Sequence, residues 1–281
     1  MAAGAFVPHA DIYGFAKGTA RGIAPHAHLA FYKAVQDGVD VVSISLGGDS
    51  RPFYKDAIAI GAFSAIQKGV FVSCAAGNNG PDHYTLLNDA PWLLTVGVST
   101  LDRAIRANPK FGNGQTFFGE FLFQWKDFKE TPLPLVFPGK DGDFIKAQCE
   151  ELTTKEISGK VVLCESALGS DMVLEGEVVL TMDGAAMIFM NGERNAYALM
   201  AGRHVLPAAH VSFADGNKIK AYINPTKNPT ATIPFKGTVL RDTAASVVAV
   251  FSSRGPSLQS PGILKPDIIT RPGDPGRLAL E

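Results

Sequence analysis

A chain of 281 residues, 46% hydrophobic and 19% charged, is long and apolar enough to bury one large core or two medium ones. Its formal net charge of −1 gives no electrostatic reason to bind nucleic acid or an anionic membrane. No apolar run approaches the ~20 residues of a membrane span. No Cys, His or carboxylate spacing fits a metal site, so no metal or cofactor is expected.

The opening stretch, Met1-Ala2-Ala3-Gly4-Ala5-Phe6-Val7-Pro8, lacks the basic region and long apolar core of a signal peptide, and no export address is expected in it. Four short apolar runs follow, at 28–32, 39–46, 70–75 and 93–98. Each is rich in Val, Leu, Ile or Phe, as strands buried on both faces are. Within 54–68, Ala57, Ile58, Ile60, Ala62, Ala65 and Ile66 fall on one helical stripe, and Gly69 follows as a stop. Strand, helix, strand predicts a βαβ unit, hence an α/β domain with a parallel sheet. Only residues 33–38 separate the first two runs, whereas a parallel crossover needs about a dozen residues or more. The first strand is therefore expected to be displaced, or the sheet incomplete on that side, with marginal stability as the result.

The character changes near residue 113. Asn113-Gly114 marks a turn, aromatics cluster at Phe117, Phe118, Phe121, Phe123 and Trp125, and strand candidates then recur at 133–137, 160–163, 185–190, 204–211 and 231–239. This reads as a β-rich module. The segment 245–272 returns to an apolar strand at 247–251, followed by the turn-like exit Ser252-Ser253-Arg254-Gly255-Pro256 and by Lys265-Pro266-Asp267. Residues 273–281 carry no core pattern. The two ends read alike and the middle differs, which predicts one domain, 1–112 and 241–281, interrupted by another at 113–240. Of the three cysteines, an odd count leaves at least one free. Cys149 and Cys164 flank a predicted strand and form the candidate disulfide; Cys74 reads as buried and inert.

The segment Ser73-Cys74-Ala75-Ala76-Gly77-Asn78-Asn79-Gly80-Pro81 reads as a buried strand running into a polar turn. Such geometry holds one amide, Asn78, at a strand end and aims it at a cleft. Two readings stand: a turn-forming Asn before Asn79-Gly80, or a hydrogen-bond donor of a reaction site. The segment resembles the oxyanion-hole stretch of subtilisin-like serine proteases. Further stretches resemble the plant-type subtilases in the same order: Gly18-Thr19-Ala20-Arg21-Gly22-Ile23-Ala24-Pro25, Asp37-Gly38-Val39-Asp40-Val41-Val42-Ser43-Ile44-Ser45-Leu46-Gly47-Gly48, and Pro91-Trp92-Leu93-Leu94-Thr95-Val96-Gly97. The middle module is similar to a protease-associated (PA) domain, best at Gly159-Lys160-Val161-Val162-Leu163-Cys164 and His204-Val205-Leu206-Pro207.

That resemblance implies a fragment of a subtilisin-like parallel-sheet domain around a PA insertion, and a secreted serine endopeptidase of the apoplast or cell wall as the family activity. It makes Asn78 the oxyanion donor, Ser45, Leu46 and Gly47 an exposed strand edge for an extended substrate, and Ala76 and Gly77 part of the primary pocket. Peptide or protein substrate is the implied partner, with a homodimer through the PA domain as a further possibility; the alternatives for function are a non-catalytic interaction module built on the PA domain, or a truncated gene product with no function of its own. The triad contexts Asp-Thr/Ser-Gly, His-Gly-Thr and Gly-Thr-Ser-Met do not occur in the sequence. The chain begins where the histidine helix should be under way and ends before the serine, so it is expected to be inactive alone. His9, His26, His28, His83, His204 and His210 read as surface or strand-end histidines, and Ser252 and Ser253 as turn residues, not as substitutes.

Overall fold

The structure, a computed structural model, describes residues 6–12, 15–20, 38–100, 103–122, 128, 130–167, 171–202, 204–240 and 247–270. Strands β1 (Val7–Ile12) and β2 (Phe15–Ala20) form a two-stranded sheet. Next come β3 (Val41–Ile44), α1 (Ala57–Ile66), β4 (Phe71–Ala75) and β5 (Leu94–Val98). The middle of the chain supplies β6 (Arg103–Ala107), β7 (Lys110–Phe111), β8 (Gly119–Glu120), β9 (Leu133–Val136), α2 (Phe144–Ala147), α3 (Thr154–Ile157) and β10 (Val161–Glu165). It continues with α4 (Met172–Thr181), β11 (Ala186–Met190), β12 (Ala208–Val211), α5 (Phe213–Ile223), β13 (Thr230–Thr232) and β14 (Phe235–Leu240). The last element is β15 (Ile268–Thr270). Two compact units result: Met1–Pro8, Thr19–Asp102 and Thr243–Glu281 make the first, His9–Gly18 and Arg103–Asp242 the second.

The first unit holds a four-stranded, wholly parallel sheet in the order β15-β5-β4-β3. β3, α1 and β4 form the βαβ unit that the apolar periodicity predicts. Helix α1 starts where Asp56 accepts the N–H groups of Ile58 and Ala59, two donors with no partner inside the helix. It stops before Gly69, whose φ of +81° suits glycine. Its buried face is alanine (Ala59, Ala62, Ala65), so the helix sits close over Val72 and Cys74 of β4. Trp92 closes the end of this small core: its ring packs edge-on against Phe53 and Phe63, and its indole N–H donates to the Ala59 carbonyl at 3.0 Å. The predicted strand at 28–32 and its short crossover lie outside the described residues, apart from Gly38. The strand expected at 247–251 does not form. Only Val248 bridges to Ser99, and the Ser252 N–H turns back onto the Ala249 carbonyl at 3.0 Å. The backbone there is used to grip another loop instead.

The second unit is a nine-stranded mixed sheet, β14-β6-β8-β12-β11-β10-β9-β13-β7. Its centre, β9 to β12, is parallel and carries the core: Val161, Val162, Leu163, Met187, Ile188 and Met190 are fully buried. The run at 231–239 is two strands, not one. Pro234 offers no N–H to a ladder, and the pairing changes there: β13 pairs with β7 and β9, β14 with β6. The run at 204–211 is strand only from Ala208, after Pro207. Helices α4 and α5 were not expected in a β-rich module. Their N-termini are capped by Asp171 and Ser212, whose side chains accept the N–H groups of Val173 and Asp215. Cys149 and Cys164, both without exposed surface, form a disulfide. The change in composition at Asn113 falls inside this unit, whose longer segment begins at Arg103.

Candidate active-site segment

The first unit brings the tips of β3 and β4 together. Ladder pairing ends at Ile44 with Cys74, and both chains run on beyond it. Past β3, Ser45, Leu46 and Gly47 are exposed, Leu46 at 73%, and they lie beyond the strand rather than in it. Past β4, Ala76 is buried, Gly77 half-buried, and Asn78 exposed. The amide of Asn78 thus sits on the surface at the carboxyl end of a parallel strand, where open α/β sheets place ligands.

Two residues that sequence reasoning missed hold these tips in register. Asn88, 6% exposed, donates both amide hydrogens, to the Leu46 carbonyl at 2.8 Å and to the Ala75 carbonyl at 2.9 Å. Its own carbonyl accepts the buried Thr95 hydroxyl at 2.7 Å, and its φ of +53° is one that asparagine tolerates better than most residues. Leu87 donates its N–H to Ala76 at 2.8 Å and lays its side chain between two glycines. A methyl on Gly47 would come within 2.7 Å of Leu87 Cδ1, and one on Gly77 within 2.9 Å. Gly47 and Gly77 therefore face the same side chain. On the Gly47 side lies a cavity of about 300 Å³, lined by Leu46, Gly47, Gly48, Leu87, Asn88 and the start of α1. The signal for Asn88 was a polar pair, Asn88-Asp89, set between the apolar pair Leu86-Leu87 and a predicted strand.

The other candidates fall as follows. Cys74 is the free cysteine; burial, with the nearby Asp56 carboxylate, pushes its thiol up to about 11. His9 and His83 are exposed, as expected, and His26 and His28 lie outside the described residues. His204 and His210 are a correction: they are 4% and 1% exposed. Burial holds both well below the ordinary imidazole range, at about 4. His210 accepts the Met200 N–H at Nδ1 (3.0 Å) and donates from Nε2 to Asn191 (2.8 Å), the pattern of a neutral ring. His204 stacks on Phe121, and among the described residues neither of its ring nitrogens has a hydrogen-bond partner. Both stand where the apolar sheet of the second unit needs neutral aromatic volume. Among the described residues no cluster of His, Cys, Asp or Glu could hold a metal ion, and no helix is long and apolar enough to cross a membrane.

The subtilase family model matches residues 6–278. Subtilisin-like protease SBT1.6 of Arabidopsis thaliana is 41% identical over 292 residues, an overlap of 95% of this chain and 38% of that protein. SBT1.5 of the same plant is 43% identical over 299 residues, with 96% and 38% covered. A psychrophilic subtilisin-like protease, Apa1 of an Antarctic Pseudoalteromonas, overlays 80% of this chain and 58% of its own at a TM-score of 0.34 and 15% identity. The chain spans 38% of the length of the plant relatives it matches. With a parallel sheet ending in the Ala76-Gly77-Asn78 turn and this similarity along almost its whole length, the chain belongs to the subtilase family, among the plant subtilisin-like proteases.

Proposed function

We propose that these residues supply part of the substrate cleft of a plant subtilisin-like serine endopeptidase. In this reading residues 45–47 offer backbone N–H and C=O groups to an extended peptide, as an added strand would take them. Ala76 and Gly77 line the primary pocket, and Asn78 donates its amide to the oxygen that becomes negative when the scissile carbonyl is attacked. A neutral, fixed donor there gains strength as charge develops, and such a donor contributes ~10²–10³ in turnover. The observation that carries this reading is the Asn88 amide, which bridges Leu46 and Ala75 and so fixes the two arms of the cleft relative to each other. The second unit, in this reading, is a PA-type insertion. The Cys149–Cys164 disulfide supports an oxidising, extracellular setting.

Peptide hydrolysis by a Ser–His–Asp relay needs a nucleophile, a base and an orienting carboxylate. The sequence holds none of their family contexts. The 281 residues are thus proposed to bind peptide but not to turn it over. The test is to incubate the purified chain with a fluorogenic peptide and with a fluorophosphonate probe. No turnover and no labelled serine is the expected result; covalent labelling of any serine overturns it.

A further inference from the structure

Ser252 and Ser253, set aside from sequence as turn residues, lie against the segment that carries Asn78. Ser253 is 1% exposed, and it makes two hydrogen bonds to that segment. Its backbone N–H donates to the Gly77 carbonyl at 3.0 Å, and its Oγ accepts the Asn79 N–H at 3.1 Å. The Gly77 carbonyl belongs to the peptide plane before Asn78, and the Asn79 N–H to the plane after it. A residue has only two soft backbone dihedrals, each a rotation against one of these planes. Holding both planes sets φ and ψ of Asn78, and with them the direction in which its side chain leaves the backbone.

The support is itself held on both sides. Ser252 Oγ accepts the Val98 N–H at 3.1 Å, which ties the support to the end of β5. The Gly80 N–H donates to Phe251 at 2.9 Å, while Thr85 and Arg254 exchange two further bonds, Thr85 N–H to the Arg254 carbonyl at 3.0 Å and Arg254 N–H to Thr85 Oγ1 at 2.9 Å. The fit is close. A methyl on Gly77, whose φ is +103°, would come within 2.7 Å of Ser253 Oγ, and one on Gly80 within 2.3 Å of the Ser252 carbonyl. The two glycines that flank Asn78 and Asn79 are what let the turn approach the serine pair. We infer that Ser253 is a positioning residue for Asn78, setting the direction in which its side chain leaves the backbone by fixing both adjoining peptide planes. The inference rests on the reading of Asn78 as an oxyanion donor.

Two measurements on the intact chain test it. The first is amide hydrogen exchange by NMR. In Ser253→Ala the Asn79 N–H is expected to exchange at least ~10-fold faster, with the Val72 and Cys74 amides of β4 unchanged, and Ser253→Thr, which keeps the oxygen, is expected to restore protection. Unchanged Asn79 exchange in Ser253→Ala overturns the inference, as does equal acceleration in β4, which would make Ser253 a general support of the fold. The second measurement compares binding of acetyl-Ala-Ala-Pro-Leu as the free acid and as the amide. The carboxylate oxygen stands in for the oxyanion, so the chain is expected to prefer the acid, and both Asn78→Ala and Ser253→Ala to lose that preference while still binding the amide. If Asn78→Ala keeps the preference, the oxyanion reading fails, whatever the exchange data say of Ser253. If Asn78→Ala loses it and Ser253→Ala keeps it, the oxyanion reading stands and the positioning role is overturned.

Discussion

Asn88 spends both hydrogens of one amide on two carbonyls, one just past β3 and one at the end of β4, and nothing smaller can replace it. Asn88→Ala removes both bonds and also places an alanine at a φ of +53°, a conformation that costs a side chain bearing only Cβ about 1 kcal/mol. Asn88→Gly removes the same bonds without that backbone cost. Each carbonyl left dry costs about 1–3 kcal/mol, reduced where water can enter from the cavity. Both variants are therefore expected to lose about 2–3 kcal/mol in urea unfolding, with alanine the worse by about 1 kcal/mol. Equal stability of the alanine variant and the parent would show that the amide does not hold the two tips. Cys74 gives a second residue-scale expectation. Its thiol is buried and raised to about 11, so almost no thiolate forms near neutrality. Ellman's reagent at pH 8 should find no thiol in the folded chain and one in urea; a thiol titrating rapidly in the native protein contradicts the packing of Cys74 under α1.

At the scale of elements, the disulfide joins the end of α2 to β10 across α3, a sequence separation of 15. Closing a loop of that size removes freedom from the unfolded chain worth about 3 kcal/mol. The double variant Cys149→Ala, Cys164→Ala should lose about that much stability, and reductant should then have no further effect on it. A loss well under 1 kcal/mol would mean that the sheet order alone fixes this loop. What sequence showed at this scale follows a physical division. Strands buried on both faces, such as β10 and β11, stand out as short apolar runs, as do β4 and β5, whose buried positions alternate with exposed or half-buried ones, and α1 stands out by its stripe. Helices α4 and α5 did not: Gly216 sits in α5 because the sheet is too close for a side chain, and Gly176 of α4 faces Leu206, 3.1 Å from where a Cβ would stand. A methyl on Gly216 would come within 2.6 Å of Met190. Glycines that serve packing read as breaks when only spacing is seen. The site divides likewise. Asn78 was legible because its neighbours in sequence make the turn. Asn88 and Ser253 were not, since their partners lie 42 and 174 residues away.

At the scale of the whole molecule, each unit carries its own core: small and alanine-rich under α1 in the first, large and built on the parallel strands β9 to β12 in the second. Their responses to pH should differ because the two buried histidines, His204 and His210, belong to the second unit. Both are held near pKa 4 by burial, against ~6.5 in an unfolded chain. For His204 the charge of His210 adds to the lowering and Asp171 opposes it; for His210 the Met200 carbonyl, 3.2 Å from Nδ1, opposes it, because the charged ring could donate to it. The native state therefore favours the neutral rings. Above ~6.5 neither state holds the protons and the stabilisation is fully present. As pH falls below ~6.5 the unfolded chain takes up two protons that the native state refuses, and stability drops until the folded values near 4 are reached. By pH 5 the loss comes to about 2 kcal/mol per histidine. The window from 6.5 to 5 is diagnostic, because carboxylates titrate mostly below it. Opening free energies from the exchange of Met187 and Ile188 amides in β11, corrected for the intrinsic rate at each pH, should fall by about 4 kcal/mol between pH 7.5 and 5. In His210→Gln that slope should halve, whatever the variant's stability at pH 7.5, because one of the two proton sites is gone. A flat profile across the window would mean that the histidines are hydrated in the native state, and an unaltered slope in His210→Gln would assign the pH response to groups other than this pair.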